Sequence, residues 1–317
     1  MNTRGESARG GLAPHAALVA VQLFFGTWPI FGKVALASLP STGLVACRVA
    51  GATLVFAALR LFTRETTSVT RRDHARFAVF ALLGVVLNQF FFVKGLEYST
   101  VTNATLLGTA IPVFAMLISV VLGRERLSAR KVLGALLAAA GVVFLIDPAR
   151  ADFSGGRTLG NVLLIVNAAC YGAYLAVSQD TFRRYGALES IFWVFVFGSL
   201  FVLPIGGYHL AQAPLANVPA TTWLVVAYII VVPTVGAYYL NAWALERVVP
   251  STVAVYIYLQ PLIALALAPL VLGADEGWGP RTLLSALMIF AGVAVVTVKA
   301  RSRAAEEMSE RPEVLGR

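Results

Sequence analysis

Ten long apolar runs follow one another along this chain, and nothing else in it constrains the fold as much. They lie at about 16–37, 42–62, 76–96, 100–122, 130–146, 158–179, 190–208, 221–243, 250–272 and 281–299. About 20 apolar residues carry a helix across the hydrocarbon of a bilayer. No water reaches backbone polar groups there, so only helices and closed barrels can span it. The runs are continuous rather than alternating in polarity, which argues against a barrel. Charged residues make up 13% of the chain, whereas a soluble domain carries roughly 25%. The pattern predicts an all-α polytopic membrane protein with ten transmembrane helices in two sets of five.

The two sets are related. Pro112, an apolar stretch, the turn Gly123-Arg124-Glu125-Arg126 and the segment Arg130 to Ile146 recur as Pro261, an apolar stretch, the turn Gly273-Ala274-Asp275-Glu276 and Arg281 to Val298. At a shift of 151 positions Glu125 meets Glu276, Arg130 meets Arg281, and Ala140-Gly141-Val142 meets Ala291-Gly292-Val293. Upstream of a two-residue insertion the shift is 149, placing Leu96-Glu97 on Leu245-Glu246 and Pro112 on Pro261. The first runs pair more weakly at 146: Phe25-Gly26 lies over Tyr171-Gly172, Trp28 over Tyr174 and Lys33 over Gln179. Apolar composition does not account for the matched polar residues, so the chain reads as an internal repeat.

Basic residues set the orientation. With the N-terminus inside, the inner segments hold Arg4 and Arg9; Arg60, Arg64, Arg71, Arg72 and Arg76; Arg124, Arg126, Arg130 and Lys131; Arg183 and Arg184; Arg247; and Lys299, Arg301, Arg303, Arg311 and Arg317. The outer segments hold Arg150, Arg157 and Arg281. This bias predicts cytoplasmic tails at 1–15 and 300–317. The net charge of +9 is accounted for by topology rather than by nucleic acid. Ala35-Leu36-Ala37 resembles a cleavage site, but the apolar run before it is too long for a signal peptide and Lys33 interrupts it, so an uncleaved anchor is expected. Five helices per repeat make the sixth enter from the opposite side to the first, which predicts inverted topology.

These features together resemble the drug/metabolite transporter (DMT) superfamily in its EamA-type branch. The resemblance rests on Phe25-Gly26-Thr27-Trp28, Cys47-Arg48-Val49, Gly95-Leu96-Glu97-Tyr98, Pro112 and the Gly123 turn, and on Ala244-Leu245-Glu246 with Gln260-Pro261 in the second half. It implies EamA-type repeats at 16–146 and 158–299, with a central cavity between them. It implies no single substrate, because such transporters handle amino acids, other metabolites and drugs. The second turn, Gly273 to Trp278, departs from the pattern in being two residues longer than its partner.

Polar and aromatic residues within the runs are the candidate site. Ionisable groups in a span are costly and face a cavity or a partner. Arg48 has two readings: a counter-charge for an anionic group, or a partner of backbone carbonyls or of Glu97 at a helix end. Lys33 and Lys94 lie near outer helix ends, where snorkelling is the structural alternative. Asn88-Gln89, Asn103, Asn167 and Asn241 either bond across helices or bind solute. Trp28, Tyr171, Tyr174, Tyr238, Tyr239, Tyr256 and Tyr258 include several aromatics too deep for the interfacial belts. The substrate-binding set drawn from these is Trp28, Arg48, Asn88, Lys94, Asn167, Tyr171, Tyr174, Tyr239 and Tyr256. Pro112 and Pro261 are the candidate hinges, since each removes a backbone donor at a matched position.

Enzyme chemistry finds no foothold. His15, His74 and His209 fall in the tail or loops, and the two cysteines, Cys47 and Cys170, form no cluster. No metal site or cofactor is expected, and no carboxylate stands mid-span for proton relay. The expected function is secondary transport of a small organic solute across the plasma (inner) membrane, by alternating access and without a strict need for a buried proton-carrying acid. The solute is expected to carry an anionic group. The lipid bilayer is the other partner, and the small-residue faces around Gly134, Gly141 and Gly292 would suit close packing within the fold or in a homodimer. A non-transporting membrane receptor or scaffold with the same fold is the alternative.

Overall fold

The computed structural model describes residues 12–63, 68–123, 129–146, 156–248, 253, 256–257, 259–273, 279–292 and 295. Glu125, Tyr258, Asp275 and Glu276, on which several sequence expectations rest, lie outside the described residues. The helices in chain order are α1 (Ala13–Leu36), α2 (Ser41–Thr63), α3 (Arg71–Tyr98), α4 (Val101–Val121), α5 (Ala129–Ile146), α6 (Arg157–Tyr185), α7 (Ala187–Gln212), α8 (Ala220–Arg247), α9 (Leu259–Leu272) and α10 (Pro280–Gly292). No strand occurs among the described residues. Seven helices, α1 to α4 and α6 to α8, are long and apolar enough to cross a membrane, while α9, α10 and residues 132–141 of α5 form shorter apolar segments.

The distribution of side chains is that of a protein solvated by lipid. Leu54 is 71% exposed, Leu224 71% and Leu270 82%, while Gln22, Arg48, Gln89, Asn167, Thr234 and Asn241 are buried. Water would impose the opposite arrangement.

The helices pack in a scheme that maps onto itself. The pair α2 and α7 make the most extensive contact; α1 packs on α8 and α9; α6 packs on α3 and α4. Exchanging α1 with α6, α2 with α7, α3 with α8 and α4 with α9 leaves this list unchanged. The close crossings obey the same rule. A Cβ on Gly172 of α6 would stand 2.8 Å from Ala115 N and Phe114 Cβ of α4, and a Cβ on Gly26 of α1 would stand 2.9 Å from the Ile263 side chain of α9. Gly172 is 146 positions after Gly26, and Ile263 is 149 after Phe114. Missing side chains let these helices approach, which gives the Phe25-Gly26 and Tyr171-Gly172 pairing a physical cause.

The long helices are interrupted at matched places. A π segment runs from Leu82 to Leu87 in α3 and from Ile230 to Gly236 in α8, about 149 positions apart. In α8 the cause is Pro233, which lacks the N–H that would bond to Ile229 O, so the Thr234 hydroxyl donates to that carbonyl at 2.7 Å. Helix α4 breaks into Val101–Gly108 and Ile111–Val121. Pro112 therefore does not kink a continuous helix: it occupies the first turn of a new segment, where the missing N–H has no partner to lose. Pro261 is the third described residue of α9, which follows a residue outside the described ones. Gly123 (φ 69°) and Gly273 (φ 94°) then end α4 and α9 in the left-handed region that other residues avoid.

The two ends of the bundle differ in charge. At one end Arg60 pairs with Glu189 of α7 at 2.7 Å. At the same end Asp73 of α3 accepts from the Tyr185 hydroxyl at 2.7 Å, from Arg76 at 2.7 Å and from Arg184 at 3.3 Å, with Thr70 also donating at 2.8 Å. Helix α3 starts five residues before the apolar run because Thr70 caps it, accepting from Asp73 N. Removing one member of a buried ionic cluster leaves its partners uncompensated, whereas a surface pair is worth little. Asp73→Ala should therefore lower the melting temperature of the purified protein clearly more than Glu97→Ala, which breaks only the half-exposed pair with Lys94. Equal losses in a thermal melt would show that the cluster does not tie α3 to α6.

Candidate functional site

A cavity lies where α1, α3, α4, α6, α8 and α9 meet, with Arg48 reaching in from α2. About 750 Å³ of space free of protein atoms lies among its side chains and at its mouth. Both halves contribute equivalent positions. Gln89 and Tyr238, Phe92 and Asn241, Ala104 and Val253, Gly108 and Ile257, and Ile111 and Gln260 all line it, each pair 149 apart, as do Phe25 and Tyr171, 146 apart. An apolar wall with a few convergent polar groups is the usual build of a small-molecule site.

Arg48 is the cation of the cavity. It is 2% exposed. Its guanidinium carbon stands 3.6 Å from the centroid of the Trp28 ring, and Trp28 in turn stacks on Phe92 at 5.7 Å. Arg48 Nε donates to Thr234 Oγ1 at 3.0 Å. The π segment of α8 makes this possible, because the Thr234 hydrogen is already committed to Ile229 O and its lone pair is turned toward Arg48. The alternative pairing with Glu97 does not form: Glu97 takes Lys94 at 2.9 Å.

The amides and tyrosines knit the walls. Asn167 donates to Asn88 O at 2.7 Å. Asn241 donates to the Tyr171 hydroxyl at 3.3 Å, and Tyr238 donates to Gly84 O at 3.1 Å within the π segment of α3. Gln260 donates to Gln22 Oε1 at 2.6 Å. Gln89, 1% exposed, lies beside the Tyr238 hydroxyl, and among the described residues neither polar atom of its amide makes a hydrogen bond of standard geometry. The neighbouring Tyr238 hydroxyl is engaged by Gly84 O and Asn88 Oδ1 instead.

Of the residues chosen from the sequence, Trp28, Arg48, Asn88, Asn167 and Tyr171 come together around the cavity. Four do not line it. Lys94 sits at the end of α3, bound to Glu97 and 4.7 Å from the Tyr98 ring. Tyr174 is buried behind Tyr171 at 5.4 Å, its ring filling the space left by the missing side chain of Gly84. Tyr239 packs against the apolar core. Tyr256 bonds to His15 Nδ1 at 2.7 Å. Gln22, Phe25, Gln89, Phe92, Tyr238, Asn241 and Gln260 line the cavity but were not selected. The signal for several of them was present, as amides and aromatics at helical spacing from chosen residues: Phe25 precedes Trp28 by three and Phe92 follows Asn88 by four.

Two latches flank the cavity. At the C-terminal end of α1, Lys33 Nζ donates to Leu96 O at 2.7 Å, Ser99 O at 2.5 Å and Glu97 O at 3.3 Å, at the end of α3. At the C-terminal end of α6, Gln179 Nε2 donates to Leu245 O at 3.3 Å and Val248 O at 3.4 Å, at the end of α8. Gln179 follows Lys33 by 146 positions, and Leu245 and Val248 follow Leu96 and Ser99 by 149. The latches stand at opposite ends of the bundle. Asn161, near the start of α6, accepts from Ser99 Oγ beside the Lys33 latch, and the 18 residues from Asn161 to Gln179 span about 27 Å of helix.

Membrane-crossing helices, a lipid-facing apolar shell and a polar cavity at the meeting of two matched halves define a multi-pass membrane protein with a central cavity. The chain belongs to the EamA-like transporter family, whose model matches it twice, at residues 14–147 and 158–298, and so to the drug/metabolite transporters; transmembrane transport is the work of that family. An uncharacterized transporter of Archaeoglobus fulgidus is 27% identical over 90% of this chain and 97% of its own length. A WAT1-related protein of Arabidopsis thaliana is 24% identical over 80% of this chain and 73% of its own. A probable terminal-alkyne amino-acid exporter of Streptantibioticus cattleyicolor is 25% identical over 81% and 84%. One solved crystal structure covers 93% of this chain and 99% of its own with a TM-score of 0.58 at 20% identity, a likeness of fold.

Proposed function

We propose that the protein is a secondary transporter that moves small organic solutes, amino acids or related metabolites, by alternating access around the central cavity. The two latches carry this reading. Helix α1 packs with α8 and α9, and α6 packs with α3 and α4, which makes two bundles with the cavity between them. Lys33 ties α1 to α3, and Gln179 ties α6 to α8, so each latch crosses from one bundle to the other, at opposite ends. Opening one while the other holds exposes the cavity to one side at a time. The name of the amino-acid exporter among the relatives supports the solute class.

The frame for this motion is a pair of inverted five-helix repeats, α1 to α5 and α6 to α10, related by an axis in the membrane plane. The self-mapping of the packing scheme supports it. The Asp73 end, with Arg60, Arg76, Arg183, Arg184 and Arg247, faces the cytoplasm, which places both termini inside and the Lys33 latch outside. A single cysteine at Asn217, in a chain with Cys47 and Cys170 replaced by serine, should react with an impermeant maleimide in intact cells, and one at residue 66 should not. The reverse pattern would overturn the orientation. In proteoliposomes the purified protein should exchange a labelled amino acid or carboxylate against unlabelled pools; a protein that binds such solutes and never moves them is a receptor instead.

A further inference from the structure

We propose that Arg48 and Gln89 form the subsite for the carboxylate of a solute with a single carboxylate, an amino acid or a simple organic acid, a deepening that rests on the cavity being the solute site. Arg48 offers one hydrogen-bonding edge to the protein, through Nε to Thr234. Its two terminal nitrogens have no acceptor among the described residues. Trp28 covers one face of the guanidinium plane at 3.6 Å, which fixes the plane and leaves its edge to meet a ligand. A planar fork of two N–H donors matches a carboxylate in bidentate geometry.

The second observation is independent of Arg48. Gln89 lines the cavity beside Tyr238, and both polar atoms of its amide are buried without a hydrogen bond of standard geometry among the described residues. A buried polar group left unsatisfied is costly, and native structures keep such groups where a ligand completes them. The Gln89 amide adds one N–H donor and one acceptor to the same wall. Among the described residues lining the cavity Arg48 is the one charged group. One cation without an acid neutralises one negative charge, which favours a monocarboxylate over a doubly charged phosphate and over a cation. Phe25, Phe92 and Tyr171 present flat apolar faces to the body of the solute.

The test uses an isosteric series on the full-length protein in detergent: 3-phenylpropionate, 3-phenylpropionamide and 3-phenylpropylamine, each at millimolar concentration. The readouts are the thermal stabilisation of the protein and, separately, exchange in proteoliposomes. A ligand that binds the folded state raises its melting temperature. The carboxylate should stabilise more than the amide, and the amine not at all. Arg48→Gln should weaken carboxylate binding about ten- to hundred-fold, the usual weight of a charged hydrogen-bonding group, and bring it level with the amide. Gln89→Leu, which removes the amide and keeps the size, should weaken carboxylate binding by a smaller factor without reversing the order. If Arg48→Gln fails to fold, Arg48→Lys keeps the charge and loses the fork, and should retain part of the preference. Equal stabilisation by carboxylate and amide, preference for the amine, or no stabilisation by the carboxylate overturns the subsite. Binding without exchange would leave the subsite standing and count against the transporter reading.

Discussion

Gly172→Leu should prevent the protein from folding into a monodisperse species, while Gly26→Leu, its counterpart in the other half, should give a weakened but folded protein. The difference lies in what a new side chain meets. At Gly172 a Cβ would stand 2.8 Å from Ala115 N and 2.9 Å from Ile111 O. Those are backbone atoms of α4, held in a helix that cannot yield locally. At Gly26 the nearest atoms belong to the Ile263 side chain at 2.9 Å, which can change rotamer. Inserting volume into a packed core costs about 1–3 kcal/mol where side chains adjust, and more where they cannot. Gly172→Leu also forces α6 away from α4, and with it Asn167 and Tyr171 away from the cavity. Size-exclusion profiles and thermal melts of the two variants give the answer. Equal tolerance would mean that the α4–α6 crossing does not limit the packing, and that the matched glycines reflect descent rather than contact.

Much of this architecture was legible in the sequence, for reasons that differ by feature. The apolar runs were plain because lipid demands them, and the bounds of α1, α2 and α4 depart from them by three residues or fewer. Helix α3 was harder, since its first turn is polar and held by Thr70 and Asp73 rather than by hydropathy. The π segments were not read as such. In α8 the cue was Pro233, six residues after Ala227 in an otherwise unbroken run, but in α3 no proline marks the place. The pairing of Lys33 with Gln179 was visible as a weak match. Its meaning was not, because the acceptors are backbone carbonyls, which sequence does not display. The cavity was read in outline through Trp28, Arg48, Asn88, Asn167 and Tyr171. Tyr174 and Tyr239 were misplaced because a tyrosine deep in a span gives no sign of which helix face it occupies until the neighbours are known. Lys94 had a partner three residues away, Glu97, and that spacing already favoured a local pair.

Lys33→Met should open the cavity to the outside, and Gln179→Met should open it to the inside by a smaller factor. Both side chains close on the end of a helix that belongs to the opposite bundle, where unpaired carbonyls gather. The Lys33 latch carries a full charge onto three carbonyls, at 2.7, 2.5 and 3.3 Å. The Gln179 latch is neutral and longer, at 3.3 and 3.4 Å. Charge-assisted bonds contribute about 1.5–3 kcal/mol and neutral ones about 0.5–1.5 kcal/mol, the lower figures applying where water has access, as it does to Lys33. Losing the first should therefore shift the balance between outward-open and closed forms about ten-fold or more, and losing the second less, since 1.4 kcal/mol is a factor of about ten. A cysteine at Thr105, in the cavity wall, reports the shift in a chain with Cys47 and Cys170 replaced by serine. Its labelling by an impermeant maleimide should rise in right-side-out vesicles for Lys33→Met and in inverted vesicles for Gln179→Met. Lys33→Gln makes the two latches chemically alike and should bring the two rates toward each other. If Lys33→Met changes labelling equally from both sides, the lysine is a helix cap alone, and the two bundles must be held apart by something other than these matched contacts.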